Sequence, residues 1–239
     1  MRQKIKQFLK GSANQIFGDL KKNIPTVPER LLDKAIKTSS KYADRHMKDA
    51  MMFFKQDDLR NYCITLLKEE LIKDRFYLEF GVFKGKSINL FSAKMPDITF
   101  NGFDSFEGLQ EDWKGWALPK GSFDLQGNMP KVNSNVTLHK GWFNKTVPVF
   151  LSENKANKIR FIHIDCDTYE STKYLFETLG DKMDGDTYIL FDEYFGYRGW
   201  EIGEYKAFQE FVKEKNLTYK YIGFATYNTL VKLNKTVTV

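Results

Sequence analysis

The sequence predicts a doubly wound α/β protein: a mostly parallel sheet of seven strands with helices on both faces, a C-terminal antiparallel hairpin, and helices ahead of the first strand. Three observations predict it. From Phe76 onward, short apolar runs alternate with helical stretches, the rhythm of strand–helix–strand units around a parallel sheet. The last two apolar runs are separated only by Ala225-Thr226-Tyr227-Asn228, which reads as a hairpin placing one antiparallel strand at a sheet edge. Carboxylates end four of the first five strands or lie within two residues of the end, where open parallel sheets bind their ligands.

The elements follow in chain order. Residues 1–23 carry Ile5, Phe8, Leu9, Ile16, Phe17 and Leu20 at helical spacing with lysines between them. This leader reads either as a surface helix making peripheral membrane contact or as a helix docked on its own domain or a second subunit. Pro25 and Pro28 break the chain, and helical patterns follow over Arg30–Lys37, Tyr42–Phe54 and Leu59–Ile72. Residues 1–74 therefore form an N-terminal helical extension and residues 75–239 the main domain. Strands are expected at Phe76–Gly81, Ile98–Asp104, Val136–His139, Arg160–Asp165, Thr187–Asp192, Tyr219–Phe224 and Thr229–Leu233. Helices are expected at Lys86–Ala93, Thr146–Asn154, Tyr169–Lys182 and Glu201–Lys215. The stretch 105–135 has little periodicity and is long for a structureless connection. Trp113, Trp116, Phe123 and Met129 equip it either as a lid over a ligand or as a flap packed on its own aromatics.

Composition excludes several classes. At 42% hydrophobic and 28% charged residues, the chain of 239 residues is that of a folded globular protein. No apolar run reaches the roughly 20 residues of a membrane-spanning helix. Two cysteines, Cys63 and Cys166, make neither a disulfide scaffold nor a zinc site, and a reduced, cytoplasmic setting is expected. Of the 37 Lys+Arg and 31 Asp+Glu, six basic residues and one acid fall in the leader, leaving 31 against 30 in the body. That balance gives no polyanion-attracting field and argues against nucleic acid.

The strand ends carry the chemistry. The first turn, Glu79-Phe-Gly-Val-Phe-Lys-Gly-Lys-Ser87, joins a strand to a helix through glycines that let backbone approach a ligand. It lacks both the G-x-G-x-x-G spacing and a complete P-loop. Asp104 is placed to accept the hydroxyls of a ribose, although Asp104-Ser-Phe-Glu107 also fits a capping box. Asp167-Thr-Tyr-Glu170 reads as a capping box for the next helix, which leaves Asp165 free for chemistry. Asp192 and Glu193 end the following strand, and three converging carboxylates need a shared proton or a hard cation such as Mg²⁺. His139 stands at a strand end beside this group.

Taken together, the first turn with Phe103-Asp-Ser-Phe-Glu-Gly-Leu109, Gly141-Trp-Phe143, His163-Ile-Asp-Cys-Asp-Thr-Tyr-Glu-Ser-Thr172 and Phe191-Asp-Glu-Tyr194 resembles class I S-adenosylmethionine-dependent methyltransferases of Rossmann-like fold. More narrowly it resembles the macrocin/mycinamicin-type sugar O-methyltransferases, over roughly Arg75 to Leu233. The resemblance implies that Glu79, Gly81, Gly85, Ser87, Asp104, Ser105, Gly141, Trp142 and Asp165 bind S-adenosylmethionine. It implies that Asp165, Asp192 and Glu193 hold Mg²⁺, and Asp165 is the expected catalytic residue, with His139 a second candidate. Glu193 stands where the family usually has Asp or Asn, and Thr168 where catechol-type relatives have a lysine. The implied activity is methylation of a hydroxyl on a sugar or other small natural product by a homo-oligomeric enzyme. A nucleotide- or NAD-linked oxidoreductase on a related fold, or a non-catalytic interaction module, would share much of this pattern.

Overall fold

The structure, a computed structural model, describes residues 25–234 apart from 114, 115, 117 and 156. The leader helix read at residues 1–23 lies outside the described residues. The chain builds α1 (Val27–His46), β1 (Met51–Met52), α2 (Gln56–Glu69), β2 (Phe76–Phe80), α3 (Lys86–Lys94), β3 (Phe100–Asp104), β4 (Val136–Lys140) and α4 (Phe143–Glu153). It continues through β5 (Ile159–Ile164), α5 (Tyr169–Leu179), β6 (Tyr188–Phe191), α6 (Glu204–Glu214), β7 (Tyr219–Phe224) and β8 (Thr229–Leu233). All eight strands form one sheet in the order β1-β7-β8-β6-β5-β2-β3-β4.

The central strands show why the sheet is parallel and covered on both sides. Every residue of β2, β5 and β6 is buried. Alternate residues divide between two cores, because successive side chains of a strand point to opposite faces. Leu78, Phe80, Ile162, Ile164, Ile189 and Phe191 pack on one side with α4, α5 and α6. Tyr77, Phe161, Tyr188 and Leu190 pack on the other with Leu59, Cys63, Ile64 and Leu67 of α2 and Phe91 of α3. The helix α2 thus contributes directly to the core beneath the sheet.

Three features differ from the sequence expectation. The sheet has eight strands, since Met51–Met52 pairs in parallel with β7. The segment read as a helix from Tyr42 to Phe54 is instead the end of one long helix and an extended strand. Helix α1 runs through Ser39 and Ser40 because their hydroxyls bond back to the carbonyls of Ala35 and Ile36, each at 2.8 Å. At its start, Thr26 and Glu29 form a capping box. Thirdly, the antiparallel strand is not at the edge: β8 lies between β6 and β7 and is antiparallel to both. The crossover through α6 carries β7 one place too far, and the hairpin returns β8 into the gap. Helix α4 also begins at Phe143, three residues earlier than expected, where Phe143, Val147 and Phe150 make its apolar stripe.

The strand order reverses between β2 and β5. There Gly81 has φ +91°, and a Cβ built on it would lie 1.7 Å from the carbonyl oxygen of Asp165. Gly85 also has positive φ, +75°, but its nearest neighbour is the flexible Asn89 side chain at 3.3 Å. Gly81→Ala should therefore destabilise the fold by about 3 kcal/mol or more, and Gly85→Ala by only about 1–2 kcal/mol. Urea unfolding of the two variants measures the difference, and equal losses would contradict it.

Candidate active site

At the reversal, the C-terminal ends of β2, β3, β5 and β6 form one rim. Main-chain bonds extend the ladder past the strands: Gly81 N–H to Phe103 O at 3.0 Å, Asp165 N–H to Phe80 O at 2.9 Å, Asp192 N–H to Ile164 O at 2.9 Å. Above the rim lies a cavity of about 670 Å³, a size suited to a cofactor. The strand ends line it with Gly81, Asp104, Ser105, Asp165, Asp192 and Glu193. The segment 105–135 adds Glu111, Trp113 and Phe123, and the start of α4 adds Trp142 and Phe143.

Asp104 organises the first turn. Its Oδ2 accepts the N–H groups of Val82 and Phe83 at 2.8 and 2.7 Å, and its Oδ1 accepts the N–H of Phe106 at 2.7 Å. Oδ2 has both lone pairs engaged, whereas Oδ1 keeps one for a ligand hydroxyl. The contact between the Gly81 and Asp165 backbones leaves a cradle that any side chain at 81 would fill. These residues fit an adenosine-bearing ligand.

Beneath the rim runs a buried chain of charges. Glu79 and His163 are register partners on β2 and β5. The imidazole sits between Glu79 Oε2, 3.0 Å from Nδ1, and Asp192 Oδ1, 3.3 Å from Nε2. Burial disfavours the charged ring, but the bonds to Asp192 and Glu79 outweigh it and push its pKa up to about 10. His163 is therefore an imidazolium that donates to both carboxylates. Ser87 donates to the other oxygen of Glu79 at 2.9 Å. Asp192 also accepts from Gln56 Nε2 at 2.6 and 2.7 Å, from Arg60 Nη2 at 2.8 Å and from Asn228 Nδ2 at 2.8 Å. Burial raises its pKa, yet His163, Arg60 and Gln56 together hold it below the ordinary value.

The remaining rim acids have no such partners. Carboxylate oxygens of Asp165, Asp167 and Glu193 all lie within 4.8 Å of one another. Burial, followed by the charge of Asp192, pushes Asp165 and Glu193 well above the usual carboxylate range. The same two causes push Asp167 up to about 7. Glu204, at the start of α6, has no exposed surface and is also raised well above its ordinary value by burial and the charge of Asp167. Two carboxylate oxygens here, Glu193 Oε2 and Glu204 Oε1, are buried without a hydrogen-bond partner.

Residues 78–194 match the family model of a methyltransferase domain. The chain carries a methyltransferase domain, that of an S-adenosylmethionine-dependent enzyme. Among solved structures it is similar to CalS11, the calicheamicin methyltransferase, at 19% identity over 93% of this chain and 91% of that one, with a TM-score of 0.58. The apo structure of CalS11, described as a TDP-rhamnose 3'-O-methyltransferase, matches at 20% identity over 93% of each chain with a TM-score of 0.53. The O-methyltransferase NovP matches at 18% identity over 75% of this chain and 79% of that one, with a TM-score of 0.54. At these identities the likeness to solved structures shows the fold. No curated protein matches the sequence.

Of the residues singled out in the sequence, the methyltransferase brings Gly81, Asp104, Ser105, Trp142, Asp165, Asp192 and Glu193 to the cavity. Glu79 and Ser87 lie beneath it, bonded to each other. Gly85 caps α3 in a left-handed conformation, and Gly141, at φ +138°, turns the chain so that Trp142 faces the cavity. The structure does not bring His139 there: β3–β4 register sets it against Phe103, stacked at 4.4 Å, with its Nε2 3.0 Å from Asn101 Oδ1. The capping assignment of Asp167 is corrected, because the cap of α5 is Thr168, whose hydroxyl accepts from Ser171 N–H. Asp167, at φ +67°, lines the cavity instead. Sequence reading also missed Gln56 and Arg60, whose signal was a pair of polar residues four apart beside the apolar stripe of α2.

These shifts fix a pH dependence. His163 binds its proton more tightly folded than unfolded, so its stabilisation is full below about pH 6.5 and is lost as pH rises through about 10. Asp167 likewise binds a proton more tightly when folded, and its ionisation destabilises the fold as pH rises from about 4 to 7. The melting temperature of the metal-free methyltransferase should therefore fall between pH 5.5 and 9. A melting curve series that rises over that range would contradict this charge assignment.

Proposed function

We propose that this methyltransferase transfers its methyl group to a hydroxyl of a sugar or sugar-bearing small molecule, with a divalent cation, Mg²⁺ by its chemistry, at the rim carboxylates. The observation that carries the reading is a second cavity of about 250 Å³ that joins the first through Glu111, Trp113, Asp167, Thr168 and Glu170. Its remaining walls include Asp112, Tyr169, Tyr197 and Lys206. Aromatic faces beside carboxylates suit a polyhydroxylated acceptor, which offers C–H faces to the rings and O–H donors to the acids. The description of CalS11 as a TDP-rhamnose 3'-O-methyltransferase supports the same substrate class.

In this reading, Gly81, Asp104, Ser105 and Trp142 hold S-adenosylmethionine in the larger cavity, and Asp165 lines that cavity beside Asp167, which both cavities share. Methyl transfer breaks the donor's S–CH₃ bond, forms an O–CH₃ bond, and releases S-adenosylhomocysteine. The chain's main contribution is to align the two reactants and to exclude water. The acceptor proton passes to a rim carboxylate, and Asp165, with its raised proton affinity, is the residue assigned that role. The all-oxygen donor set and the unpartnered Glu193 Oε2 fit a hard divalent ion. Such an ion would lower the pKa of a bound hydroxyl and fix its direction. Residues 105–135, which bring Glu111 and Trp113 to both cavities, act as the lid.

S-adenosylhomocysteine should raise the melting temperature, while NADH should not. Trp113→Ala should raise the acceptor KM about tenfold or more and leave S-adenosylhomocysteine affinity within a factor of two or three. A screen of sugar-containing acceptors with labelled donor supplies the assay. Loss of donor binding in Trp113→Ala, with acceptor KM unchanged, would overturn the division of the two cavities.

A further inference from the structure

We infer that the acceptor carries a protonated amine, as an amino sugar does, and enters without a phosphate or diphosphate group. This rests on the sugar-acceptor reading above and names the charge of the molecule that the smaller cavity takes.

The walls of the two cavities carry one sign of charge. Among the described residues lining the larger one there is no lysine, arginine or histidine, and the smaller has only Lys206. That lysine is already engaged, its Nζ 4.1 Å from the centre of the Tyr169 ring and 3.6 Å from Glu210 Oε1. Against it the smaller cavity sets Glu111, Asp112, Asp167 and Glu170. Among the described residues none of these four forms a salt bridge. Asp112 Oδ1 accepts the N–H of Lys120 at 2.8 Å, and Glu170 lies in the first turn of α5, where a helix favours an acid. Those local roles place the two charges but do not neutralise them. A cleft lined by one sign of charge concentrates ligands of the other.

A phosphate finds no counterpart here. Such groups are held by arginine or lysine forks and by free N–H groups at helix starts. Two helices begin at the smaller cavity, α5 after Thr168 and α6 after Gly203. Each already carries its own acid in the first turn, Glu170 in α5 and the fully buried Glu204 in α6. The aromatic walls suit an ammonium instead. Trp113 and Tyr197 line the cavity with their rings 6.2 Å apart at 68°, a corner whose faces attract a cation. Trp113 is only 8% exposed, and its indole N–H makes no hydrogen bond among the described residues, so a ligand oxygen would satisfy it. Carboxylates, ring faces and one buried donor together match a sugar bearing an amine and hydroxyls. Glu111 and Glu170 border both cavities, as Asp167 does, so an amine paired with them keeps the sugar at the junction with the donor.

The test is calorimetric binding of four probes to protein saturated with S-adenosylhomocysteine: methyl glucosaminide, its N-acetyl derivative, glucose 1-phosphate and TDP-glucose. It is run at about pH 6.5, below the pKa of such an amine. The free amine should bind about tenfold or more tighter than the N-acetyl sugar, and both phosphates more weakly still. Raising the salt from about 20 to 500 mM should shrink that preference several-fold. Glu111→Gln and Glu170→Gln should each cut the ratio of amine to N-acetyl affinity by about threefold or more, and Glu111→Lys should raise glucose 1-phosphate binding. Circular dichroism and S-adenosylhomocysteine affinity on the same samples report the fold. An amine that binds no tighter than the N-acetyl sugar, or a ratio unchanged in both glutamine variants, overturns the inference. Wild type that binds S-adenosylhomocysteine and prefers TDP-glucose overturns this inference alone and leaves sugar methylation standing. Wild type that fails to bind S-adenosylhomocysteine overturns both.

Discussion

The rim of the sheet holds more negative charge than its own cations balance, and the site is organised around that excess. Glu79 and Asp192 are matched by the imidazolium of His163 and the guanidinium of Arg60. Asp165, Asp167, Glu193 and Glu204 are not. Two unit charges about 4 Å apart repel by roughly 1 kcal/mol in water and about 4 kcal/mol near a protein surface. Carboxylates left in that state recover neutrality by binding protons, which is why four of them titrate high, or by binding a cation. Asp167 borders both cavities, and Asp165 and Glu193 line the larger one beside it, so the unmet charge lies where the two cavities adjoin.

Such a cluster persists because the scaffold beneath it is rigid. The strands that end in these acids, β2, β5 and β6, are buried along their whole length between two apolar cores. The backbone contact of Gly81 with Asp165 fixes the height of one strand end against the other. Helix α2 locks the arrangement from below. Its Leu59, Cys63, Ile64 and Leu67 pack under the sheet, and that docking carries Gln56 and Arg60 to Asp192. The N-terminal part of the chain is thus tied to the rim by charge as well as by apolar packing.

Much of the fold was legible in the sequence because its signals are local. Alternating apolar runs marked seven of the eight strands, with β7 and β8 at their observed limits. The two-residue β1 carried no readable period, since so short a segment has none. The serines inside α1 looked like an interruption and were not, because back-bonding to the preceding turn satisfies their hydroxyls. The place of β8 inside the sheet depends on how far the α6 crossover carries β7, which no local pattern encodes. At the site, residues ending strands were found readily, whereas Asp167 was misassigned because Asp and Thr are both good caps and sequence does not say which of two neighbours takes the position.

What the sequence by itself determined is the list of chemically able residues and the end of the sheet where they gather, because strand periodicity and strand-end composition repeat along a single line of chain. Only the tertiary structure decided how they are partnered. Whether a carboxylate is neutralised or left with unmet charge depends on side chains far away in sequence, such as Gln56, Arg60 and Asn228 around Asp192. Over the few ångströms at which charges and hydrogen bonds act, it is packing and not chain order that sets the neighbours.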